Sequence, residues 1–144
     1  MNKQIIGLYG TQDRGKTSTL KLLISLLQPD SPTTVPEDSK DISIVIPYRG
    51  KQIAITTGGD RDKVVKKNIE FFEENNCDIL ITATKTSGKT REILESYNTQ
   101  KTHLPIIWIK KNEEFTIELQ HLTNQSQAKD IQALIDSFIS SEKK

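Results

Sequence analysis

This sequence of 144 residues has little cysteine, few aromatic side chains and almost no net charge. The lone Cys77 excludes an internal disulfide and is typical of a protein from a reducing compartment. A formal net charge of +1 gives no electrostatic reason to expect nucleic acid or an anionic membrane as a partner. The two histidines, His103 and His121, lack the spacing of metal ligands. Composition alone therefore points to no metal cluster, no nucleic acid and no anionic membrane surface.

Long apolar runs are also missing from the chain. None approaches the roughly 20 residues that a helix needs to span a bilayer. The apolar stretch after Lys3 is too short for a signal peptide, and it is needed as a first strand. These absences predict a cytoplasmic protein with no membrane segment. The length is that of one folded unit, and we expect residues 1–144 to form a single domain.

One segment carries a specific chemical pattern. Residues 10–17 read Gly-Thr-Gln-Asp-Arg-Gly-Lys-Thr, which is the Walker A pattern G-x-x-x-x-G-K-[ST]. Gly10 and Gly15 allow the backbone to turn so that consecutive N–H groups face a phosphate. Lys16 supplies a positive charge for the β- and γ-phosphates, and the Thr17 hydroxyl is a ligand for Mg²⁺. An apolar run before the segment and a leucine-rich run after it predict strand, loop and helix, the context that this pattern requires.

On these residues the chain resembles the P-loop NTPase superfamily, and within it the kinase–GTPase kind. The resemblance implies Mg²⁺-dependent binding of a nucleoside triphosphate, with slow hydrolysis as the expected reaction. ATP and Mg²⁺ are the implied cofactors, and GTP remains open. The residues that the resemblance assigns to the nucleotide are the motif and its next neighbour, namely Gly10, Thr11, Gln12, Asp13, Arg14, Gly15, Lys16, Thr17 and Ser18.

A second stretch with a partial match follows a predicted strand and reads Thr56-Thr57-Gly58-Gly59-Asp60. GTPase-like proteins end this strand with D-x-x-G, whose glycine N–H meets the γ-phosphate. On that alignment Gly59 binds the nucleotide, and Asp60 falls where a water-orienting residue sits. The resemblance thus implies Lys16 and Asp60 as catalytic residues. It also implies Thr17 and Asp60 as metal ligands, with Thr56 standing where the usual metal-binding aspartate would be. The alternative role for Asp60 is to N-cap the following helix, which would move suspicion to Glu37, Asp38 or Asp41.

The choice of base is predicted from residues 84–87, which read Thr-Lys-Thr-Ser. GTPases read guanine with [NT]-K-x-D at this place, so Lys85 is expected to lie along a base. Ser87 replaces the aspartate that would accept hydrogen bonds from guanine. We therefore expect ATP to be favoured, with GTP binding within about tenfold of it, or roughly 1.4 kcal/mol.

Strands that alternate with helices predict a three-layer α/β fold built on a mainly parallel sheet of about five strands. Two strands, 42–46 and 52–56, flank a short Gly-bearing connection and predict an antiparallel hairpin with 42–46 at the sheet edge. The expected strand order is 2-3-1-4-5, with the first strand central. The predicted strands are 3–9, 42–46, 52–56, 78–83, 104–109 and a short one at 115–119; the predicted helices are 16–27, 61–76, 89–101 and a closing helix around 128–138.

Two other functions stay open. A small-molecule or nucleotide kinase would need an acidic pair, for which Asp38 and Asp41 are the candidates, and cationic clamps, for which Arg61 and Arg91 are the candidates. An arginine-lined pocket beside Asp60 would favour the kinase. A nucleotide-dependent switch or partner-binding module would instead order its 28–41 loop with nucleotide. For all three functions, Lys16 is predicted to face solvent in the empty protein, so that Lys16→Ala removes nucleotide binding and leaves the fold intact.

Overall fold

The computed structural model of the chain describes residues 3–10, 15–28, 41–59, 61–85, 88–101, 103–112 and 116–142. Strands and helices alternate along most of the chain, as the sequence predicts. Their order is β1 (Gln4–Tyr9), α1 (Lys16–Leu27), β2 (Ser43–Tyr48), β3 (Lys51–Thr56), α2 (Asp62–Glu74), β4 (Ile79–Thr84), α3 (Lys89–Gln100), β5 (Ile107–Lys110) and α4 (Ile117–Glu142).

The five strands form one mixed sheet in the order β2-β3-β4-β1-β5. Strand β1 runs parallel to β4 and β5, β3 runs parallel to β4, and β2 is antiparallel to β3. The α/β class, the mostly parallel sheet and the antiparallel edge strand are therefore confirmed. The predicted order 2-3-1-4-5 is wrong, because β4 lies between β3 and β1 and takes the central place. Every residue of β4 is buried, which is the burial that a central parallel strand requires.

A tight turn fixes the register of the β2–β3 hairpin. Arg49 and Gly50 have positive φ angles of 50° and 85°, and a two-residue turn of this kind matches the twist of the flanking strands. Tyr48 consequently pairs with Lys51, so the strands run closer to the turn than the sequence suggested. The tip is attached to α4, since the Tyr48 hydroxyl donates to Asp136 at 2.6 Å and Arg49 forms an ion pair with the same carboxylate at 3.1 Å.

Helices cover both faces of the sheet, which gives the predicted three layers. Helices α1 and α4 pack on one face around the largest apolar cluster, and α2 and α3 pack on the other around two smaller clusters. Alternate residues of each inner strand enter opposite clusters, as Ile79 and Leu80 do in β4. Within the ranges given above, no helix is long and apolar enough to cross a membrane.

The closing helix is longer than the sequence pattern indicated. The predicted strand at 115–119 is wrong where the structure describes it, because α4 already begins at Ile117. Two polar residues, Asn124 and Gln127, are buried on the same helical face as Ala128 and Ile131. Because these two buried positions are polar, the apolar residues alone do not show the 3–4 spacing of an amphipathic helix over the first half of α4.

Candidate functional site

The start of α1 is held between the end of β1 and helix α4. Gly15 is the N-cap residue, with a φ of 89°, and a Cβ there would lie 2.7 Å from Oδ1 of Asn124. The Thr19 hydroxyl donates to the same oxygen at 3.2 Å. Both the positive φ and the close approach require glycine at position 15. The buried Asn124 thus sets where the motif helix begins, a role that sequence reasoning missed.

Lys16 points into the protein. Its residue is only 5% exposed, and its Nζ donates to the carbonyl oxygens of Gly10 at 2.9 Å and Thr84 at 2.7 Å. The prediction of a solvent-facing Lys16 is therefore wrong. The register of the two strands gives the physical reason: Thr84 at the end of β4 pairs with Tyr9 at the end of β1, so its carbonyl lies within reach of the ammonium group and takes the place of water.

A cavity of about 340 Å³ opens beside Lys16 at the carboxyl end of the sheet. This is the edge where ligands of open α/β sheets bind. Its walls come from the first residues of α1, the segment before β2, the ends of β3 and β4, and the start of α2. The lining residues are Lys16, Thr17, Asp41, Thr57, Gly58, Gly59, Arg61, Val64 and Ala83.

The structure places the motif residues as follows. Thr17 is half-buried in the cavity wall, and its hydroxyl donates to the Thr57 carbonyl at 3.4 Å. Ser18 is exposed on the first turn of α1. Gly10 is buried, and a Cβ there would lie 3.1 Å from Cβ of Lys111. The remaining predicted nucleotide ligands, Thr11, Gln12, Asp13 and Arg14, lie outside the described residues.

The glycine-rich end of β3 forms the opposite wall. The Asn68 side-chain amide donates to the Gly58 carbonyl at 2.9 Å and to the Thr82 hydroxyl at 3.2 Å. A Cβ on Gly59 would overlap the carbonyl oxygen of Ala83. The predicted site residue Gly59 therefore lines the same cavity as Lys16 and Thr17, although β4 separates its strand from β1.

Asp41 reaches this cavity from the chain before β2. The Thr57 amide donates to the Ile42 carbonyl at 3.0 Å, and the Ile42 amide donates to the Thr57 hydroxyl at 2.8 Å. This pairing extends the hairpin past its last assigned residues and brings Asp41 opposite Gly58. A Cβ on Gly58 would lie 2.7 Å from Oδ2 of Asp41. From the sequence, Asp41 was named as an alternative to Asp60. Its place at the cavity follows from the register of the β2–β3 hairpin.

Asp60 lies outside the described residues, but its two chain neighbours, Gly59 and Arg61, both line the cavity. The N-cap residue of α2 is Arg61, with φ −125° and ψ 146°. The suggestion that Asp60 caps this helix is therefore wrong by one residue. Arginine has no acceptor to offer, and no side-chain cap is formed at this N-terminus within the described chain.

Lys85 follows β4 directly and is exposed, and it is not among the residues that line the cavity. Its predicted role in reading the base corresponds to the strand order 2-3-1-4-5, in which β4 lies beside β1 on the side away from β3. In the observed order that side belongs to β5, which ends in Lys110 and is followed by the buried Lys111. The base role of Lys85 stays a prediction that the topology no longer supports, and Ser87 lies outside the described residues.

Comparisons with protein-family models, with curated proteins and with solved structures found no match to this chain. A functional assignment must therefore come from the motif and the cavity. In the part of the chain that the structure describes, no three His, Cys, Asp or Glu residues are grouped as a metal site. Any metal bound at this cavity would need oxygen atoms from its ligand or from water to complete its coordination.

Proposed function

We propose that this protein binds a nucleoside triphosphate with Mg²⁺ and hydrolyses it slowly. One observation carries the proposal: Lys16 and Thr17 of the Walker A pattern open on a single cavity together with Asp41 and the glycine-rich end of β3. Motif and cavity are independent features, since the first is a sequence pattern and the second depends on how distant segments fold together.

Phosphate binding follows from the start of α1. The N-terminal N–H groups of a helix attract anions through the helix dipole and through their own unused hydrogen bonds. Neither α1 nor α2 has a side-chain cap at its N-terminus within the described residues, and both helices begin at the cavity. The Lys16 ammonium now donates to neutral carbonyl oxygens. Phosphate oxygens are stronger acceptors for it, because charge-assisted hydrogen bonds are about twice as strong as neutral ones.

The residues present also fit Mg²⁺. This ion prefers oxygen ligands and is usually held by one or two carboxylates together with substrate phosphates. The cavity offers the Thr17 hydroxyl and the Asp41 carboxylate. When bound, Mg²⁺ would neutralise charge on the phosphates. Hydrolysis is expected to be slow, because among the described lining residues Asp41 is the only carboxylate and none is histidine. Asp60 remains the predicted residue for orienting water.

A small-molecule or nucleotide kinase is the second candidate, and Arg61 favours it. This residue lines the cavity together with Gly59, where an arginine would clamp a transferred phosphoryl group or an anionic acceptor. Arg91, the other candidate clamp, stacks on Tyr9 and Trp108 at 4.9 and 4.2 Å from their ring centroids and lines no part of this cavity. The switch hypothesis concerns a loop of which residues 29–40 lie outside the described chain, and it stays a prediction.

The test of nucleotide binding is Lys16→Met, which removes the charge but keeps most of the buried stem. We expect ATP affinity to fall by about 10- to 100-fold, since a hydrogen bond to a charged group contributes about 1.5–3 kcal/mol. Isothermal titration with ATP, ADP and GTP, in Mg²⁺ and in EDTA, measures the effect. ATP and GTP should differ by less than about tenfold.

The matched control is Lys21→Met, which removes a lysine from the same helix away from the cavity. A melting curve for each variant separates lost binding from lost folding, because Lys16 also donates to two backbone carbonyls. If Lys16→Met is folded and binds ATP as tightly as Lys21→Met, the Walker A pattern is an accidental match.

A further inference from the structure

We infer that Asp41 is the carboxylate that holds Mg²⁺ at this site, acting through water. The inference rests on the proposed function and deepens it. A P-loop enzyme is expected to carry this acid at the end of the second parallel strand, but here β3 ends in Thr56 and continues to Thr57. The missing carboxylate is supplied from the neighbouring strand of the hairpin.

The hairpin register delivers Asp41 to its place. Ser43 pairs with Thr56 in the antiparallel ladder, and the next pair, Ile42 with Thr57, is joined by hydrogen bonds between both backbone amides and the partner's oxygen atoms. One further step along the ladder sets Asp41 across from Gly58. The position of the carboxylate therefore follows from the two-residue turn at Arg49 and Gly50, since the turn fixes every pair above it.

The surroundings of the carboxylate are built for a close approach. The Thr57 hydroxyl lies 3.4 Å from Oδ1 of Asp41, and Oδ2 occupies space beside Gly58 where a Cβ would lie 2.7 Å away. The carbonyl of the same Thr57 accepts from the Thr17 hydroxyl at 3.4 Å. Thr57, the residue that follows β3, thus links the hydroxyl that the motif offers to a metal with the carboxylate that we assign to it.

The charges of the lining residues explain why the proposed cation would lie between the Asp41 carboxylate and an anionic ligand. The other charged lining residues are Lys16 and Arg61, which suit a polyanion. A carboxylate on the same cavity would repel that polyanion unless a divalent cation stood between the two. Within the described chain Asp41 forms no ion pair with either cation. Its carboxylate lines the cavity, where its described partner is the Thr57 hydroxyl.

The experiment compares Asp41→Asn with wild type by titrating ATP in EDTA and over a series of Mg²⁺ concentrations. Asparagine keeps an oxygen that accepts from Thr57 but loses the charge. We expect ATP affinity in EDTA to be unchanged or higher. The Mg²⁺ concentration that gives half of the affinity gain should rise by about 10- to 100-fold, the usual loss when a residue that supports a metal ligand is changed. The control is Asp62→Asn, which changes an acid at the start of α2 that does not line the cavity and should behave like wild type.

A second variant tests the same carboxylate by changing Gly58, the residue that lies opposite Asp41. Gly58→Ala keeps Asp41 but places a Cβ 2.7 Å from Oδ2, so it should raise the Mg²⁺ requirement in the same direction. An unchanged Mg²⁺ requirement in Asp41→Asn, with wild type responding to Mg²⁺, overturns the inference and leaves nucleotide binding intact. Wild type that binds ATP equally with and without Mg²⁺ also overturns it. Wild type that binds no ATP in either buffer overturns the proposed function, and the inference with it.

Discussion

The two faces of the sheet are built differently. The face under α1 and α4 buries one continuous cluster of sixteen apolar residues. The face under α2 and α3 holds two smaller clusters and a buried polar chain in which the Thr82 hydroxyl bonds both Thr56, at 2.7 Å, and Asn68, at 3.2 Å. Asn68 continues this chain to the Gly58 carbonyl at the cavity.

This difference separates stability from positioning. Apolar burial is non-directional and contributes most of the driving force for folding, whereas a hydrogen-bonded chain fixes a specific geometry because each member has few alternative partners. We therefore expect the α1/α4 face to decide how stable the protein is. The polar chain on the α2/α3 face should decide where the end of β3 stands relative to the cavity.

The largest effect should come from the apolar face. Leu23 is fully buried in the α1/α4 cluster, and Leu23→Ala should lower the free energy of unfolding by about 2–5 kcal/mol. Urea denaturation followed by circular dichroism measures the loss. Leu26→Ala is the control, because Leu26 lies on the same helix and is only partly buried. Similar losses in the two variants would contradict the idea that the continuous cluster dominates.

A smaller loss is expected from the polar chain. Thr82→Val keeps the shape but removes the hydroxyl that bonds Thr56 and Asn68. It should cost about 1–3 kcal/mol, because the buried Thr56 hydroxyl loses its acceptor and the Asn68 amide keeps the Gly58 carbonyl but loses Thr82. Thr90→Val is the matched control, since the Thr90 hydroxyl is buried on the same side and has no hydrogen-bond partner among the residues that the structure describes. That variant should be neutral or slightly stabilising. Equal effects in denaturant titrations would mean that the polar chain contributes no more than an isolated buried hydroxyl.

The smallest effect concerns pH and belongs to the α2/α3 face. Burial among Phe72 and Tyr97 lowers the pKa of His103, and the nearby charge of Lys3 lowers it further. The unfolded chain, with a histidine pKa near 6.5, then binds a proton more readily than the folded one. Stability should fall as pH drops from about 6.5 through the folded pKa, and His103→Gln should flatten this fall.

Melting temperatures between pH 7.5 and pH 5 measure this effect. The control is His121→Gln, which changes an exposed histidine on α4 and should keep the wild-type profile. A His103→Gln profile as steep as that of wild type would show that the pH dependence arises elsewhere in the chain.

Element types were predictable where apolar spacing is regular. The sequence predicts α1 over 16–27, and the structure has Lys16–Leu27. The hairpin was predictable too, because a short connection bearing Gly50 cannot hold a crossover helix. The strand order was not, since β1 and β4 read alike: both are short apolar strands, and only their packing decides which takes the centre.

Site residues were predictable where they belong to a local sequence pattern. They were not predicted where their position depends on contacts between distant segments of the chain. Lys16, Thr17 and Gly59 come together as the patterns indicated. Asp41 required the hairpin register, and Asn124 required the full length of α4. Both are long-range facts that a window of neighbouring residues does not contain. Lys16 was expected to face water, and its burial depends on a contact with the Thr84 carbonyl, 68 residues away, that the local sequence does not contain.

The interposed strand β4 also sets the width of the cavity. Adjacent strands lie about 4.8 Å apart, so β1 and β3, which are separated by β4, lie about 10 Å from each other. On one side of β4, the Lys16 side chain reaches the carbonyl of Thr84. On the other side, Gly59 lies in close contact with the carbonyl of Ala83. Any ligand that contacts both the start of α1 and the end of β3 must therefore span two strand spacings rather than one.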